Sequence, residues 1–421
     1  MSEKENKKNA GKMTYSPEET MEAGMYLLEL IRAALRGIRA EEKPDSVSWE
    51  AVYHLAKTNS VDGLSAFGVE TLRDKPLDEI WKEWKAAPLK VTYRVLHFDM
   101  ERERILAKMR AEGLSYLPLK GVHIVNYYPK AGMRTMADND ILFGFVEADL
   151  SGGYRVKGDS EKEQDQTINL ASETMKRLML EDGYTEKLST VHDSYYKKPF
   201  YNYEMHKRLM RFESEFYSYY QNPWKRAVLD PQDSCCFHFS DEDEFIYVIV
   251  HAYKHFSGGG CGVRLLSDIH VFLEKKGNAM DWNYVNHELE SIGLDGFVKL
   301  LTEMAAAVFG EEQRELTEDE KNLIQFMVTA GTYGTVSHRV WNRMSALTKE
   351  GQKISFSHRL RYGWERMFPP KEWWKDNFPI AYNRPYLYPF VTLYRIVKGL
   401  IIHPRRLWIE WCALWKNRKN I

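Results

Sequence analysis

Residues 114–143 read LSYLPLKGVHIVNYYPKAGMRTMADNDILF. The stretch contains an apolar run, a Lys-Gly turn, a segment long enough for a helix, and then two carboxylates, Asp138 and Asp140. Because side chains alternate faces along a strand, these carboxylates project to one side while Asn139 and Ile141 face the other. Carboxylate oxygens at this spacing suit a hard cation such as Mg2+. Since a bare Asp-x-Asp pair is common on solvated loops, this interpretation depends on the rest of the chain.

The composition is that of a chain that builds a large core. The 421 residues are 44% hydrophobic and 13% aromatic, enough for two or three domains of ordinary size. The 59 basic and 60 acidic residues leave no overall field to attract polyanions, so nucleic acid is a disfavoured partner. The cysteines, none of them in a CxxC pair, indicate a reduced, cytoplasmic protein. No apolar run of about 18 residues occurs, so no membrane span is predicted.

The chain ahead of the opening stretch is predicted to be helical. Residues 1–15 form a polar, disordered leader without the apolar segment of a signal peptide. Ser16 and Glu19 have the spacing of a capping box at the start of the first helix. A long helix ends at Gly113, which serves as its C-cap. Residues 16–112 are therefore assigned to an N-terminal helical region.

Residues 113–215 are predicted to form a mixed α/β core. LSYLPL and NDILFGF read as strands on either side of a short helix, whereas the Gly-rich, charged residues 151–166 fit a mobile surface insertion. A helix follows at about 167–182. In the segment FYNYEMH, alternation places Glu204 and His206 on one face. That segment ends a series of three predicted strands, at 184–189, 194–198 and 200–206.

Residues 216–421 are predicted to form a large, mainly helical C-terminal region. Thr317 and Glu320 have the spacing of a second capping box. The last helix carries an apolar stripe of Leu407, Trp408, Trp411, Leu414 and Trp415, bordered by Arg405, Arg406, Lys416, Arg418 and Lys419. Such a stripe is typical of a helix packed on its own core, which is the expectation here. Peripheral contact with an anionic membrane surface is the alternative.

Several motifs, taken in order, resemble those of the little-characterised bacterial nucleotidyltransferase family of the polymerase-β superfamily. They are Leu119-Lys120-Gly121, Arg134, Asp138-Asn139-Asp140, Gly183-Tyr184 and Tyr203-Glu204-Met205-His206. The segments VHAYKHF and VRLLSDIHVFL resemble its His-containing helix and its Arg-to-Asp helix, and RMFPPKEWW and LYPFVTLYRIVKGL resemble its Phe-Pro segment and C-terminal helix. The resemblance covers roughly residues 90–410. It implies an α+β fold, with a small mixed nucleotidyltransferase sheet flanked by an N-terminal helical segment and a large C-terminal helical region.

The resemblance also implies an activity, which is Mg2+-dependent transfer of a nucleoside monophosphate from an NTP to a hydroxyl-type acceptor. Two Mg2+ ions would be held by the catalytic residues Asp138, Asp140 and Glu204. Glu204 could also accept the proton of the attacking hydroxyl. A glycine at the strand-to-helix turn lets backbone amides approach phosphate closely. The residues expected to bind the nucleotide are Lys120, Gly121, Arg134, His206, Arg264 and Asp268.

Two pairs of residues on predicted helices also have simple structural interpretations. Arg264 and Asp268 are four residues apart, which predicts a local ion pair. His251 and His255 have the spacing of zinc-binding helices but lack the glutamate of HExxH. Packing or hydrogen bonding is therefore predicted for these histidines in place of a zinc site.

Two alternatives remain open at the level of sequence. Val122 after the glycine and Asn139 between the acids depart from the superfamily pattern, which would fit a non-catalytic nucleotide-binding or regulatory module on a degenerate core. An Asp-x-Asp pair also holds the metal of nucleotide-sugar glycosyltransferases, but their folds place alternating strands and helices ahead of the motif. The acceptor is open among a small molecule, a protein side chain and, less favoured by the neutral charge, an RNA end.

Overall fold

The computed structural model describes residues 15–187, 192–347 and 354–415. The predicted leader lies outside this part of the chain except for Tyr15, and the strand predicted at 184–189 lies outside it from residue 188 onward.

Helices precede the sheet, as predicted. They are α1 (Pro17–Arg36), α2 (Trp49–Thr58), α3 (Asp62–Glu70), α4 (Asp78–Lys85) and α5 (Ala87–Ala111). The predicted capping box starts α1, because Glu19 N donates to Ser16 Oγ at 3.0 Å and Ser16 N donates to Glu19 Oε2 at 2.7 Å. After α5 the chain turns at Gly113, whose φ of +66° is readily available only to glycine.

A mixed α/β segment follows α5. Its elements are β1 (Ser115–Pro118), α6 (Gly121–Ile124), β2 (Asn139–Gly144), β3 (Val146–Ala148), β4 (Tyr154–Val156), α7 (Glu161–Glu181), β5 (Thr185–Lys187), β6 (His192–Lys197) and β7 (Tyr201–His206). Within the described residues, the main sheet has five strands in the order β1-β2-β7-β6-β5. Strands β2 and β7 are parallel, and the other neighbours are antiparallel. The predicted α+β fold with a small mixed sheet is thus confirmed.

The segment 151–166 is more ordered than the sequence predicts. Strand β4 pairs with β3, and Tyr154 packs edge-on against Phe237 with ring centroids 4.8 Å apart. Ser160 then caps α7, because its hydroxyl accepts a hydrogen bond from Glu163 N. The prediction of a mobile insertion is wrong here. The charged residues that suggested a loop form the exposed first turns of α7.

The C-terminal region begins with a small antiparallel sheet and continues as helices. Its elements are β8 (Ala227–Leu229), β9 (Phe237–Phe239), α8 (Asp241–Gly259), α9 (Arg264–Lys276), α10 (Trp282–Ser291), α11 (Asp295–Phe309), α12 (Glu318–Ala330), α13 (Val336–Ala346), α14 (Phe356–Met367), α15 (Lys371–Asn377), α16 (Pro379–Tyr382), α17 (Tyr388–Ile402) and α18 (Pro404–Trp415). The predicted capping box of Thr317 and Glu320 is present at the start of α12. One hydrophobic cluster includes Leu27 of α1, Leu142 of β2 and Phe245 of α8. The three regions therefore share a core.

The tryptophan stripe of α18 does not pack as expected. Ala413 is the residue of this helix that enters a small apolar cluster with Val340, Met344 and Tyr362. Trp408 remains 67% exposed, and Trp411 and Trp415 remain 56% and 48% exposed. The prediction that this stripe is buried on the protein's own core is wrong for the three tryptophans, because the helix turns Ala413 to α13 and α14; Leu414 of the stripe does pack against this cluster. None of the described helices is both long enough and apolar enough to cross a bilayer.

Asn59 joins the N-terminal helices to the C-terminal region. Its side chain is fully buried just after α2. The amide Nδ2 donates to Leu55 O at 3.0 Å and to Val328 O at 3.1 Å, and Oδ1 accepts from Val263 N at 3.1 Å. Residue 263 directly precedes α9. The position of the start of α9 therefore depends on a side chain about 200 residues away.

Replacing Asn59 should destabilise the whole protein. Asn59→Ala leaves the buried N–H of Val263 without its acceptor, and an unsatisfied buried polar group costs about 1–3 kcal/mol. We expect the free energy of unfolding, measured by urea denaturation, to fall by about 2–3 kcal/mol. The control Asn283→Ala alters an exposed residue in the first turn of α10 and should change stability by less than about 0.5 kcal/mol. Equal losses in the two variants would contradict this role of Asn59.

Candidate functional site

The acidic pair faces a cavity of about 310 Å³ enclosed by the sheet, α8 and α9. Most residues that the sequence assigns to the site line this cavity. They are Lys120, Gly121, Arg134, Asp138, Asp140, Glu204, Arg264 and Asp268. The remaining one, His206, is buried behind the carboxylates and reaches the site through Asp140.

The turn between β1 and α6 forms one wall of the cavity. Lys120 has the unusual φ of +46°, and Gly121 begins α6 directly after it. A Cβ at residue 121 would lie 3.1 Å from Nη1 of Arg134. Any larger residue would therefore have to displace this guanidinium. The N–H groups of Val122, His123 and Ile124 donate to carbonyl oxygens within the turn, and α6 is only four residues long.

Strand pairing places the three carboxylates together. Asp138 directly precedes β2, Asp140 is its second residue, and the parallel register puts Asp140 opposite Glu204 of β7. Asn139 points the other way and is fully buried, as the alternation predicts. Its Oδ1 accepts a hydrogen bond from Arg102 Nη1 at 3.1 Å. The residue that departs from the superfamily pattern thus packs behind the sheet and leaves the cavity unobstructed.

Asp140 is the carboxylate with the most partners. Its Oδ2 lies 3.1 Å from Lys120 Nζ, and its Oδ1 lies 2.8 Å from His206 Nε2. Burial acts to raise the pKa of Asp140, but Lys120 and His206 outweigh burial and hold it well below its ordinary value. Asp140 is therefore ionised at neutral pH.

Asp138 and Glu204 lack this compensation. Within the described residues Asp138 has neither a hydrogen bond nor an ion pair, and burial and the charge of Asp140 raise its pKa to about 6. Burial, Asp140 and Asp138 raise the pKa of Glu204 to about 7. Three carboxylates at one cavity thus repel one another, and two of them hold protons more tightly than usual.

The donor set suits a divalent cation. Carboxylate oxygens are the ligands that Mg2+ prefers, and Asp138 has a carboxylate without a partner in the described part of the chain. Among the described residues, the group of three possible ligands whose atoms all lie within 4.8 Å of one another is His192, Glu204 and His206, whereas Asp138, Asp140 and Glu204 do not form so close a group. His192 Nε2 is 3.4 Å from Glu204 Oε2. Glu204 therefore belongs both to the predicted acidic set and to a second group able to hold a metal.

The two histidines of α8 line the cavity as hydrogen-bonding residues. His251 Nε2 lies 2.8 Å from Lys120 Nζ, and His255 Nε2 lies 3.1 Å from His251 Nε2. In the portion of the chain described, neither histidine belongs to a group of three possible metal ligands. The predicted hydrogen bonding of these two histidines is present. The sequence gave no indication that their partner is Lys120, because residue 120 and α8 are joined only by the tertiary fold.

The ion pair of Asp268 differs from the prediction. Asp268 accepts from Arg134 at both oxygens, with Nε to Oδ1 at 2.7 Å and Nη2 to Oδ2 at 3.1 Å, and Tyr128 donates to Oδ1 at 2.8 Å. Burial acts to raise the pKa of Asp268, but Arg134 keeps it below its ordinary value. The prediction of a local ion pair between Asp268 and Arg264 is wrong, because the guanidinium of Arg134, from another segment, binds both carboxylate oxygens of Asp268.

Arg264 is consequently available at the cavity. Among the residues described, no hydrogen-bond or ion-pair partner of its guanidinium is found, although it lines the cavity beside Asp268. Arg134, predicted to clamp phosphates, is committed to Asp268 and is buried. Of the two arginines, Arg264 is the one whose donors are free for a ligand.

Sequence reasoning missed the loop that closes the cavity. Thr332 and Tyr333 line it from the turn between α12 and α13. Gly331 and Gly334 flank them with φ values of +62° and +67°. The tetrapeptide GTYG was the available signal, since glycines on both sides of two polar residues indicate a tight turn.

The small mixed sheet, the glycine turn and the three carboxylates at β2 and β7 are arranged as the resemblance to nucleotidyltransferases implies. The family described as "Uncharacterised nucleotidyltransferase" matches residues 45–310, and the chain belongs to this family. That range contains all the predicted site residues. It begins and ends earlier than the resemblance over roughly 90–410 predicts, so RMFPPKEWW and LYPFVTLYRIVKGL lie beyond it. The chain matches no curated protein and no solved structure.

Substitutions of the two charged residues Asp268 and Arg264 of α9 should differ sharply in their effect on the free energy of unfolding. Asp268→Asn leaves the buried guanidinium of Arg134 without its counter-ion, and we expect a loss of about 3–5 kcal/mol in the free energy of unfolding. Arg264→Gln, on the same helix, breaks no ion pair and should change it by less than about 0.5 kcal/mol. Urea denaturation of both variants measures this difference. A large loss in Arg264→Gln would show that the guanidinium has a structural partner.

The raised pKa values predict a pH-dependent stability in metal-free buffer. In the folded protein Asp138 and Glu204 keep protons up to about pH 6 and 7, whereas in the unfolded chain they lose them near pH 4. The folded state therefore binds more protons in this window, and the contribution of these groups to stability is lost as the pH rises from about 4 to 7.

Asp138→Asn should remove part of this dependence. With chelator present at pH 8, we expect the variant to be more stable than the wild type by about 1–3 kcal/mol, because a buried, uncompensated carboxylate is gone. At pH 4 the two proteins should be closer in stability. Asp74→Asn, at an exposed position, is the control and should follow the wild-type profile. A variant less stable than wild type at pH 8, with an unchanged slope, would contradict the raised pKa of Asp138.

Proposed function

We propose that this protein is a Mg2+-dependent nucleotidyltransferase that moves a nucleoside monophosphate from an NTP to a hydroxyl-type acceptor. The observation that carries the proposal is the convergence of Asp138, Asp140 and Glu204 on one cavity, with Asp138 lacking a counter-ion among the described residues. Such a set of oxygens gains most from a divalent cation, because a cation replaces mutual repulsion by attraction.

The three carboxylates would hold the metal ions. When bound, Mg2+ supplies positive charge that stabilises the phosphate oxygens of an in-line displacement. Asp138 directly precedes β2, Asp140 is the second residue of β2, and Glu204 comes from the neighbouring parallel strand β7. His206 fixes the orientation of Asp140 by its 2.8 Å contact with Oδ1.

The phosphates would bind between the glycine turn and α9. Gly121 lines the cavity beside the guanidinium of Arg134, and Lys120 places an ammonium beside Asp140. Arg264 supplies a guanidinium whose donors are not engaged by other described residues, which suits charge-assisted hydrogen bonds to phosphate. Arg134 would support this wall through Asp268 rather than contact the nucleotide directly.

Glu204 is suited to accept the proton of the acceptor hydroxyl. Glu204 lines the cavity from β7, opposite Asp140, where an acceptor hydroxyl could approach it; its pKa of about 7 is that of the site without metal, and a bound cation would lower it. His192 lies 3.4 Å from Glu204, and burial together with His206 lowers the pKa of His192 to about 4. An uncharged His192 would leave Glu204 basic enough for this role.

The alternatives have less support. Val122 packs with Phe98 and Met136, and Asn139 bonds to Arg102, so both departures from the pattern have packing roles away from the cavity. A glycosyltransferase would need strands ahead of the acidic motif, where α1 to α5 are found. The acceptor is proposed to be a small molecule or a protein hydroxyl, with nucleic acid less favoured by the overall charge. The cysteines are free, which supports the proposed reduced, cytoplasmic setting.

The test is a calorimetric titration with a panel of NTPs and nucleotide-sugars, with and without Mg2+. We expect NTP binding that requires Mg2+ and that weakens by about 100-fold or more in Asp138→Asn/Asp140→Asn, since losing even an outer partner of a metal ligand costs about 10–100-fold. Arg264→Gln should weaken NTP binding by about tenfold, the value of one charge-assisted hydrogen bond. Asp74→Asn is the matched control and should bind as the wild type does.

Each other outcome of the titration has a defined meaning. Preference for a nucleotide-sugar over every NTP would favour the glycosyltransferase alternative. NTP binding that is indifferent to Mg2+ and to the double variant would favour a non-catalytic nucleotide-binding module. No metal-dependent binding of either ligand class would contradict both enzymatic functions.

A further inference from the structure

The C-terminal helices expose an unusual amount of apolar surface. In α17, Phe390, Leu393, Val397 and Ile401 recur at helical spacing, and Phe390 and Ile401 are 70% and 73% exposed. In α18, three tryptophans at positions 408, 411 and 415 continue this exposure. We call these side chains the C-terminal apolar surface. Single exposed apolar residues are ordinary, whereas many on two consecutive helices indicate an interaction site.

This surface is turned outward because the opposite side of α17 is anchored. Arg395 donates to the carbonyl oxygens of Met367 and Arg366, both at 3.2 Å, and its guanidinium lies 4.3 Å from the ring centroid of Trp373. Tyr388 stacks on Trp374 with ring centroids 4.3 Å apart. The helix is therefore held to α14 and α15 by one side, and its apolar side is left without a described partner.

The charge of this segment is positive. Residues 385–415 contain four Lys or Arg and one acid, in a chain with 59 basic and 60 acidic residues. The acid, Glu410, is buried and accepts hydrogen bonds from Tyr362 at 2.6 Å and Arg366 at 3.1 Å. Lys398, Arg405 and Arg406 remain exposed beside the apolar side chains. An occupant of this surface should therefore be apolar and carry negative charge.

We propose that the C-terminal apolar surface binds the face of an anionic phospholipid bilayer, with α17 and α18 lying among the headgroups. A helix of 15 residues is about 22 Å long, shorter than the hydrocarbon core of about 30 Å, so α17 lies on the bilayer. Apolar and tryptophan side chains enter the headgroup boundary, and the basic residues contact lipid phosphates.

A second copy of the chain fits this surface less well. A two-fold interface would bring the same patch of both copies together, and hence Arg405 and Arg406 of one copy near those of the other. The described part of α17 and α18 offers no exposed acid to pair with them, since the carboxylate of Glu410 is buried. An anionic lipid surface supplies that missing charge.

The test is flotation of the full chain with phosphatidylcholine vesicles and with vesicles that also contain phosphatidylserine. We expect the protein to float with the anionic vesicles and to release them as salt is raised, because screening weakens contacts between exposed charges. Hydrogen exchange on the vesicles should show added protection confined to residues 388–415. Failure to float with anionic vesicles at low salt overturns the proposal.

Paired variants test whether the apolar side chains of α17, rather than exposed apolar side chains in general, contribute to vesicle binding. Phe390→Ser/Ile401→Ser should weaken vesicle binding by about tenfold or more, since each substitution removes an apolar side chain from the interface. The control Leu89→Ser/Leu150→Ser changes two leucines that are 75% and 105% exposed elsewhere, and it should bind as the wild type does. Equal weakening in both pairs overturns the assignment to this surface.

A second pair of variants tests the charge. Arg405→Glu/Arg406→Glu should weaken binding to anionic vesicles by about tenfold or more, whereas the exposed control Lys90→Glu/Lys162→Glu should retain it. Sedimentation velocity without lipid tests whether the surface instead joins two copies of the chain. A concentration-dependent dimer that Phe390→Ser/Ile401→Ser dissociates, in a protein that does not float, would assign the surface to a second copy and overturn the proposal.

Discussion

The repulsion among carboxylates held on one side of β2 and β7 is the constraint on which the site depends. Parallel pairing fixes Asp140 opposite Glu204, and strand alternation adds Asp138 to the same side. The backbone cannot separate these groups without losing the hydrogen bonds of the sheet. The protein compensates one of them, Asp140, with Lys120 and His206. The other two retain protons more tightly, because burial and the neighbouring carboxylates raise their pKa values.

The rest of the structure maintains the geometry around those carboxylates through contacts between distant segments. The buried pair of Arg134 and Asp268 joins the loop before β2 to α9, and Asn59 joins α2 to the start of α9. Both links place Arg264 at the cavity while leaving its own guanidinium unengaged by described residues. Of the two arginines, Arg134 is thus engaged in a buried ion pair, whereas Arg264 makes neither a hydrogen bond nor an ion pair with other described residues.

Local patterns in the chain were sufficient for a large part of the fold and the site. The capping boxes of α1 and α12 need only four consecutive residues, and the alternation of a strand needs only neighbours, so both were predictable. The same alternation placed Asp138 and Asp140 on one side. Predictions from neighbouring residues failed where a residue from a distant segment bound the same side chain. Asp268 is four residues from Arg264, but Arg134 reaches both of its oxygens and displaces that pair.

The sequence by itself determined the helices ahead of the sheet, the pair Asp138 and Asp140 and the glycine turn, because each depends on residues close together along the chain. The tertiary structure decided which groups meet across long separations, such as Lys120 with His251, and which faces remain exposed. The tryptophans of α18 show this limit, since a helical stripe looks the same in sequence whether protein or solvent covers it. Only the packing of Ala413 against α13 and α14 decided that these tryptophans face outward.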